Sequence, residues 1–121
     1  MLNCIFVGIG GFIGSVCRYL IGLIPVRPDN SFPIKTLLIN IAGAFAIGLI
    51  TALAAKYKSL DPHIILMLKT GVCGGFTTFS TFAYETSDLM QNGNMMAAIL
   101  YILASVMFGL IAVYTAQMII H

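Results

Sequence analysis

The chain has 121 residues, of which 60% are hydrophobic and 8% are charged, and its mean hydropathy is +1.01. Soluble domains carry about 25% charged residues, so six Lys/Arg and four Asp/Glu cannot form a water-facing surface here, and lipid is the expected solvent. A net charge of +2 without a clustered basic face excludes a nucleic-acid-binding protein.

Four apolar stretches follow one another, each long enough to cross a bilayer, which takes roughly 20 residues. We predict an all-α integral membrane protein with transmembrane helices at about residues 2–24, 34–55, 62–90 and 95–120. These spans leave no separate soluble part, so residues 1–121 form a single four-helix domain. The first stretch lacks a basic leading segment and an A-x-A site, so we expect it to remain a membrane helix rather than a cleaved signal peptide.

The connections between the stretches are short and contain residues that end helices. Pro25, Pro28 and residues 29–31 end the first helix and form a loop. Asp61 is predicted to cap the third helix, with Pro62 at its first position. Because the loops are short, consecutive helices are expected to be antiparallel neighbours.

The third stretch is unusual because its centre is weak as a helix. Gly74 and Gly75 precede a run of hydroxyl-bearing and aromatic residues, and Phe76 is the midpoint of residues 62–90. We therefore predict a break near the middle of the bilayer. Irregular backbone at that depth is tolerated only beside protein or a polar cavity, and broken membrane helices often expose carbonyl groups to ions. From the residues alone, a tightly packed Gly/Ser/Thr interface without an ion is an equal alternative.

Positive charges are divided evenly between the two predicted membrane faces. The face with the N-terminus holds Lys56, Lys58 and Lys69, and the opposite face holds Arg18, Arg27 and Lys35. Membrane orientation follows the Lys/Arg bias between faces, so without a bias the chain is expected to insert both ways. Such dual topology allows an antiparallel homodimer.

Three isolated polar residues lie within the apolar helices. Arg18 either snorkels to the interface or provides a structural or anion-attracting charge at a vestibule. Asn40 either makes an interhelical hydrogen bond or donates to an anion in a pore. Glu85 is a functional candidate because carboxylates inside membranes are rare.

Phe79 and Phe82 share a face of the third helix. The ordinary interpretation is packing against lipid or protein. The alternative is that the positively polarised ring edges stabilise a small anion without holding it tightly.

Nothing in the sequence indicates an enzyme. Glu85 is the only carboxylate well inside a predicted membrane helix, since Asp88 lies near the helix end, and His63 and His121 fall at helix ends, so neither paired-carboxylate hydrolysis nor a catalytic triad is indicated. Cys4, Cys17 and Cys73 lack metal-ligand spacing and are interpreted as small apolar helix residues.

Three motifs together resemble the Fluc/CrcB fluoride channels over the whole chain. The most specific is the third-helix string Gly71-Val-Cys-Gly-Gly-Phe-Thr-Thr-Phe-Ser-Thr-Phe82 followed by Glu85. Gly10-Gly11-x-x-Gly14-x-x-x-Arg18-Tyr19 is similar to the first-helix motif. Thr36-Leu-x-x-Asn40-x-x-Gly43-x-Phe45-x-x-Gly48 is similar to the second-helix motif. Ser15, Phe76 and Gly109 depart mildly from the usual residues.

The resemblance implies a fluoride-selective passive channel in the bacterial plasma membrane, built as an antiparallel homodimer with two pores. It assigns the fluoride path to Asn40, Phe79, Phe82, Ser80, Thr81, Glu85, Tyr101 and Ser105. It also implies that the carbonyls of Gly74 and Thr77 from both subunits hold a structural sodium ion.

Two other classes of protein have similar dimensions. A small multidrug-resistance exporter is also a four-helix, dual-topology dimer, but it depends on a glutamate in its first helix, and the first stretch here has no acid. Its cation cages also favour Trp, which this chain lacks. A non-transporting assembly subunit would leave Asn40, Glu85 and the Phe pair unexplained.

Overall fold

The computed structural model describes residues 1–25 and 32–120, and all regular structure in these ranges is helical. Four spans are long and apolar enough to cross a membrane: Leu2–Gly22, Ile34–Lys56, Pro62–Gln91 and Met95–Ile120. The prediction of an all-α chain with four membrane-spanning helices is therefore confirmed. Of the predicted first loop, Pro28 and residues 29–31 lie outside the described residues, as do Arg27 and His121.

Three spans are continuous helices, and the third is divided. The continuous ones are α1 (Leu2–Gly22), α2 (Ile34–Lys56) and α6 (Met95–Ile120). The third span consists of α3 (Pro62–Leu66), a π-helical segment (Met67–Cys73), α4 (Gly74–Phe76) and α5 (Phe79–Gln91).

The predicted break in the third span is confirmed, and it lies directly after the predicted midpoint Phe76. Thr77 (φ −85°, ψ 159°) and Thr78 (φ −150°, ψ 124°) are extended between α4 and α5. The π-helical segment before them widens the helix where Gly71 and Cys73 are buried, and π segments are frequent at functional sites.

Both halves of the third span begin with a side-chain cap. The Asp61 carboxylate accepts a hydrogen bond from the His63 N–H at 2.9 Å, with Pro62 in the first turn, as predicted. The Thr78 hydroxyl accepts from the Thr81 N–H at 3.1 Å and caps α5. The second cap lets a new helix start in the interior of the span.

Consecutive spans run in opposite directions, but they are not one another's main packing partners. α1 packs chiefly against the π segment and α4, while α2 packs against α6. Small residues explain this pairing: a Cβ at Gly10 or Gly14 would strike the backbone of the π segment, and one at Gly48 would lie 2.8 Å from the Val113 carbonyl oxygen of α6. Consecutive spans do contact one another, as expected for antiparallel neighbours, but these glycines place the most extensive contacts between α1 and the third span and between α2 and α6.

Contacts between helix ends show which ends share a face of the protein. The Lys56 Nζ donates to the Ile120 carbonyl at 3.1 Å, and the rings of Phe6 and His63 stack at 5.0 Å. At the opposite end, the Lys35 Nζ donates to the carbonyls of Gly22 and Ile24.

The chain buries few of its large side chains. Tyr101 is fully buried, whereas Phe12 is 70% exposed, Leu110 67% and Ile119 64%. A water-soluble fold would not expose so many large apolar side chains along whole helices. These surfaces therefore require lipid or another apolar partner.

Candidate functional site: the break in the third span and the cavity beside it

The break is held by one side chain from α2. The Asn40 Nδ2 donates to the Thr78 carbonyl at 3.1 Å, and the Thr78 N–H donates to the Asn40 Oδ1 at 2.9 Å. The amide thus pairs with the extended backbone as a neighbouring β-strand would. One Nδ2 hydrogen has no acceptor among the described residues and is available for another partner.

Thr77 is held by the preceding turn of the third span and by α2. Its Oγ1 donates to the Cys73 carbonyl at 2.8 Å, and its backbone N–H donates to the same oxygen at 3.0 Å. The Thr77 methyl group lies where a Cβ on Gly43 would stand, so only glycine allows α2 to approach this closely. Gly43 therefore supports the local geometry of the break.

The break removes the usual backbone hydrogen bonds of four carbonyls, those of Gly74, Gly75, Phe76 and Thr77, among them the two that the resemblance assigns to sodium. In a continuous helix the N–H groups of Thr78 and Thr81 would donate to Gly74 and Thr77, four residues earlier. Here the Thr78 N–H donates to Asn40 and the Thr81 N–H donates to the Thr78 hydroxyl. Within the described part of the chain, the carbonyls of Gly74 and Thr77 are left without a backbone donor.

Arg18 of α1 approaches the break from the side of α4. Its Nε donates to the Gly75 carbonyl at 3.3 Å, and the side chain is partly buried. The Gly75 Cα faces α1 so closely that a Cβ would lie 2.7 Å from the Gly11 carbonyl oxygen. Arg18 therefore satisfies a further carbonyl at the end of the first half-helix.

A cavity of about 420 Å³ lies beside the break. Of the residues predicted for a site, it brings together Asn40, Gly74, Thr77, Phe79, Phe82 and Ser105. The Ser105 Oγ is buried and has no hydrogen-bond partner among the described residues. A buried hydroxyl without a partner is costly, so this donor is positioned to bind a ligand or water.

The two predicted phenylalanines differ in their surroundings. Phe79 is 79% exposed in the single chain, while Phe82 is half-buried. Their ring centroids lie 5.8 Å apart with an interplanar angle of 48°. Phe82 also packs on Tyr101, with centroids 5.0 Å apart and an angle of 56°. One ring is thus held by the protein and the other faces outward beside the cavity.

Glu85 and Tyr101 form a separate pair beyond Phe82. The Tyr101 hydroxyl donates to the Glu85 Oε1 at 3.0 Å. Neither residue lines the cavity, and Tyr101 is fully buried. Tyr101 therefore contacts both groups: its hydroxyl binds the Glu85 carboxylate, and its ring packs against the ring of Phe82.

Ser80 and Thr81 stand at the start of α5. The Ser80 hydroxyl lies 3.5 Å from that of Thr78 and is exposed. Thr81 is half-buried, and its N–H is used by the α5 cap. Neither residue lines the cavity.

Three residues contribute to the site that the sequence analysis did not assign to it. Thr78 both pairs with Asn40 and caps α5, Gly43 makes room for Thr77, and buried Cys73 lines the cavity. A Thr followed three residues later by Thr gives no strong capping signal, so Thr78 was hard to recognise. The Asn40-x-x-Gly43 spacing on α2 was the available clue, since it places both residues on one face.

Comparison with known proteins gives a consistent result over nearly the whole chain. Residues 5–117 match the family described as "CrcB-like protein, Camphor Resistance (CrcB)". The chain is 44% identical over 118 residues to a "Fluoride-specific ion channel FluC" of Chlorobaculum tepidum, covering 98% of this chain and 94% of that protein. It is 45% identical to the channel of the same name from Azobacteroides pseudotrichonymphae, covering 93% and 92%. It is 43% identical to the "Fluoride-specific ion channel FluC" of Ruminiclostridium cellulolyticum, covering 98% of this chain and 92% of that protein.

Proposed function

Because the chain belongs to the CrcB family, we propose that it is a fluoride-selective passive channel of the bacterial plasma membrane that relieves fluoride toxicity. The observation that carries the proposal is the cavity at the broken third span. Aromatic rings, an amide and an unpartnered hydroxyl meet there, and none of the residues lining the cavity is charged.

The lining suits an anion that must bind and also leave. Asn40 offers its second Nδ2 hydrogen, and Ser105 offers a hydroxyl with no other partner. Ring edges of Phe79 and Phe82 add weak positive potential without a formal charge. A fixed cation would trap the small, desolvated fluoride ion, whereas neutral donors permit binding that is reversible at each position.

A polar track beyond the rings would continue the path. Ser80 and Thr81 provide hydroxyls at the start of α5, and Glu85 with its partner Tyr101 lies one turn further. The Tyr101 hydrogen bond keeps the Glu85 carboxylate turned toward the protein, which reduces its repulsion of a passing anion.

Transport in this proposal needs no energy source. Neutral HF crosses lipid from acidic surroundings and dissociates in the cytoplasm, where fluoride is trapped as an anion. A channel lets this fluoride leave down its electrochemical gradient. Arg18 acts mainly as a structural charge at the break, as its bond to the Gly75 carbonyl suggests, and secondarily attracts anions to a vestibule.

We infer that two chains assemble as an antiparallel homodimer with two pores. The balanced distribution of Lys and Arg favours insertion in both orientations, and the exposed apolar surfaces leave room for a second copy. In an antiparallel pair, breaks at mid-membrane depth from both chains would meet near the centre of the dimer.

The carbonyls of Gly74 and Thr77 fit a structural sodium site in such a dimer. They lack backbone donors, and hard cations prefer oxygen ligands of this kind. The Gly74 and Thr77 carbonyls of two chains would together supply four oxygen ligands, whereas one chain supplies two. Replacing sodium by potassium should lower the dimer's unfolding temperature, and an unchanged temperature would count against the site.

The proposal is tested in cells made sensitive to fluoride by removal of their own fluoride exporter. Expression of this chain should restore growth in fluoride medium, most clearly at acidic pH, where more HF enters. Phe82→Ile, expressed to the same level in the membrane, should not restore growth. Failure of the native chain to restore growth would contradict the proposal, and resistance to ethidium instead would favour an organic-cation exporter.

A further inference from the structure

A second cavity lies where the end of α2 meets the start of the third span. Its volume is about 340 Å³, and it shares no lining residue with the cavity at the break. Its polar side is formed by Tyr57, Lys58, Lys69 and Thr70, and its other wall is apolar. We call it the lysine crevice. It lies at the same end of the molecule as the Lys56–Ile120 contact.

The two lysines of the crevice have no anionic partner within the described residues. Neither ammonium has a hydrogen-bond acceptor there, whereas the other two described lysines, Lys35 and Lys56, each donate to backbone carbonyls. The nearby Asp61 carboxylate is used to cap α3. The two ammonium groups of the crevice therefore have no ion-pair partner within the described residues.

The positions of Lys58 and Lys69 along the chain indicate how deep their charges lie in the membrane. Lys69 lies seven residues after Pro62, which corresponds to about 10 Å along the helix from its start. Lys58 belongs to the turn that precedes the helix. The two charges thus span the layer between the helix end and the hydrocarbon edge, where lipid phosphates lie.

The apolar wall indicates the rest of the ligand. Ala54, Leu60, Ile65 and Leu66 line the crevice beside the charged groups. Free phosphate or fluoride would gain nothing from these side chains, whereas an acyl chain would bury against them. We propose that the lysine crevice binds an anionic phospholipid, with its phosphate between Lys58 and Lys69 and its acyl chain along Ile65 and Leu66.

Native mass spectrometry of the purified protein in mild detergent tests the proposal. The probes are phosphatidylglycerol and phosphatidylcholine of identical acyl chains, supplied in equal amounts. The native chain should retain phosphatidylglycerol preferentially. Lys58→Gln/Lys69→Gln should retain at least threefold less of it, with phosphatidylcholine unchanged. Each single variant should give an intermediate loss, which keeps the test available if the double variant does not fold.

Lys56→Gln is the matched control because Lys56 lies at the same end but outside the crevice, with its ammonium at the Ile120 carbonyl. It should retain as much phosphatidylglycerol as the native chain. If Lys56→Gln lost as much phosphatidylglycerol as the crevice variants, the lipid would be held by general surface charge, and the proposal would be overturned. Full displacement of the lipid by inorganic phosphate, or undiminished lipid in the double variant, would also overturn it. None of these results depends on whether the protein conducts fluoride.

Discussion

At the scale of single residues, Asn40 is central because one amide satisfies both polar groups of Thr78. The bond at 2.9 Å replaces the one that the Thr78 N–H would make to Gly74 in a continuous helix, and the bond at 3.1 Å gives the Thr78 carbonyl a side-chain donor. An unpaired polar group at this depth would have no water to bind. Asn40 therefore holds the break in position and keeps one Nδ2 hydrogen that no acceptor among the described residues uses.

We predict that Asn40→Ala lowers the free energy of unfolding by about 1–3 kcal/mol, because it leaves the Thr78 N–H without an acceptor and removes one donor from the Thr78 carbonyl. Transport should fall as well, since the anion donor is lost. Denaturant titration in detergent measures the first effect. Asn92→Ala is the control, because Asn92 is exposed and makes only a 3.5 Å contact with Asp88. Equal destabilisation by both variants would contradict the bracing role of Asn40.

Phe79→Ile and Phe82→Ile should each remove most transport while the protein remains folded. Isoleucine keeps an apolar side chain of similar bulk but has no ring edge to face an anion. Phe108→Ile should transport normally, since Phe108 is 51% exposed and lines neither the break cavity nor the lysine crevice. Flux at the native rate in purified Phe79→Ile or Phe82→Ile would refute the ring-edge role.

At the scale of elements, the contact of α1 with the third span depends on missing side chains. A Cβ at Gly14 would meet the Val72 carbonyl and lie 2.8 Å from the Phe76 nitrogen, and one at Gly10 would meet the Met67 carbonyl. Backbone atoms cannot move aside as flexible side chains do. The position of α4, and with it the break, is thus set by two glycines of α1.

Gly14→Ala should destabilise the protein by about 1–3 kcal/mol, the usual cost of overpacking. Gly8→Ala is the matched control on the same helix, because nothing lies within 4 Å of a Cβ there. It should be neutral or stabilise by up to about 1 kcal/mol through helix propensity. Thermal unfolding in detergent compares the two, and a Gly14→Ala protein as stable as Gly8→Ala would show that the helices do not pack this closely.

Much of the element structure could be predicted because membrane helices have a strong signal. The lengths of the apolar stretches predicted the four spans. The Gly74-Gly75 pair before a hydroxyl-rich run predicted the break in the third span. The π-helical turn at Met67–Cys73 could not be predicted, because no residue type favours it. The pairing of α2 with α6 was also missed, since loop length fixes direction but not which faces meet.

At the scale of the whole molecule, contacts between helix ends show at which end of the bundle individual lysines lie. Lys56 is fixed at the end of α6, and Lys35 is fixed at the end of α1, so these two cations lie at opposite ends of the bundle. The sequence predicts three Lys/Arg on each face, so we expect neither insertion direction to be favoured. A small change in loop charge should therefore decide the orientation.

Gln91→Lys/Asn94→Lys adds two cations to the turn between α5 and α6. We predict that it inserts in one orientation only and, expressed alone, loses activity because antiparallel partners are missing. Reporter fusions at the C-terminus measure the orientation. Co-expression with Ser59→Lys/Leu60→Lys, which adds cations to the opposite face, should restore activity. Undiminished activity of the first variant alone would contradict dual topology.

The site could be predicted only in part at this scale. Asn40, Phe79, Phe82 and Ser105 come together at one cavity, although they lie on three spans. Glu85 and Tyr101 pair instead with each other, outside that cavity. Spacing along one helix reveals shared faces, but contacts between helices depend on packing that the sequence does not display.

The central claim is that this chain conducts fluoride and rejects chloride. The most direct measurement is anion efflux from liposomes that contain the purified protein, loaded with fluoride or with chloride and followed by ion-selective electrodes. Valinomycin and a potassium gradient compensate the charge that leaves. The account predicts rapid fluoride efflux that requires valinomycin, together with chloride retention equal to that of protein-free liposomes. Fluoride retention by liposomes with the folded protein, or equal loss of both anions, would contradict it.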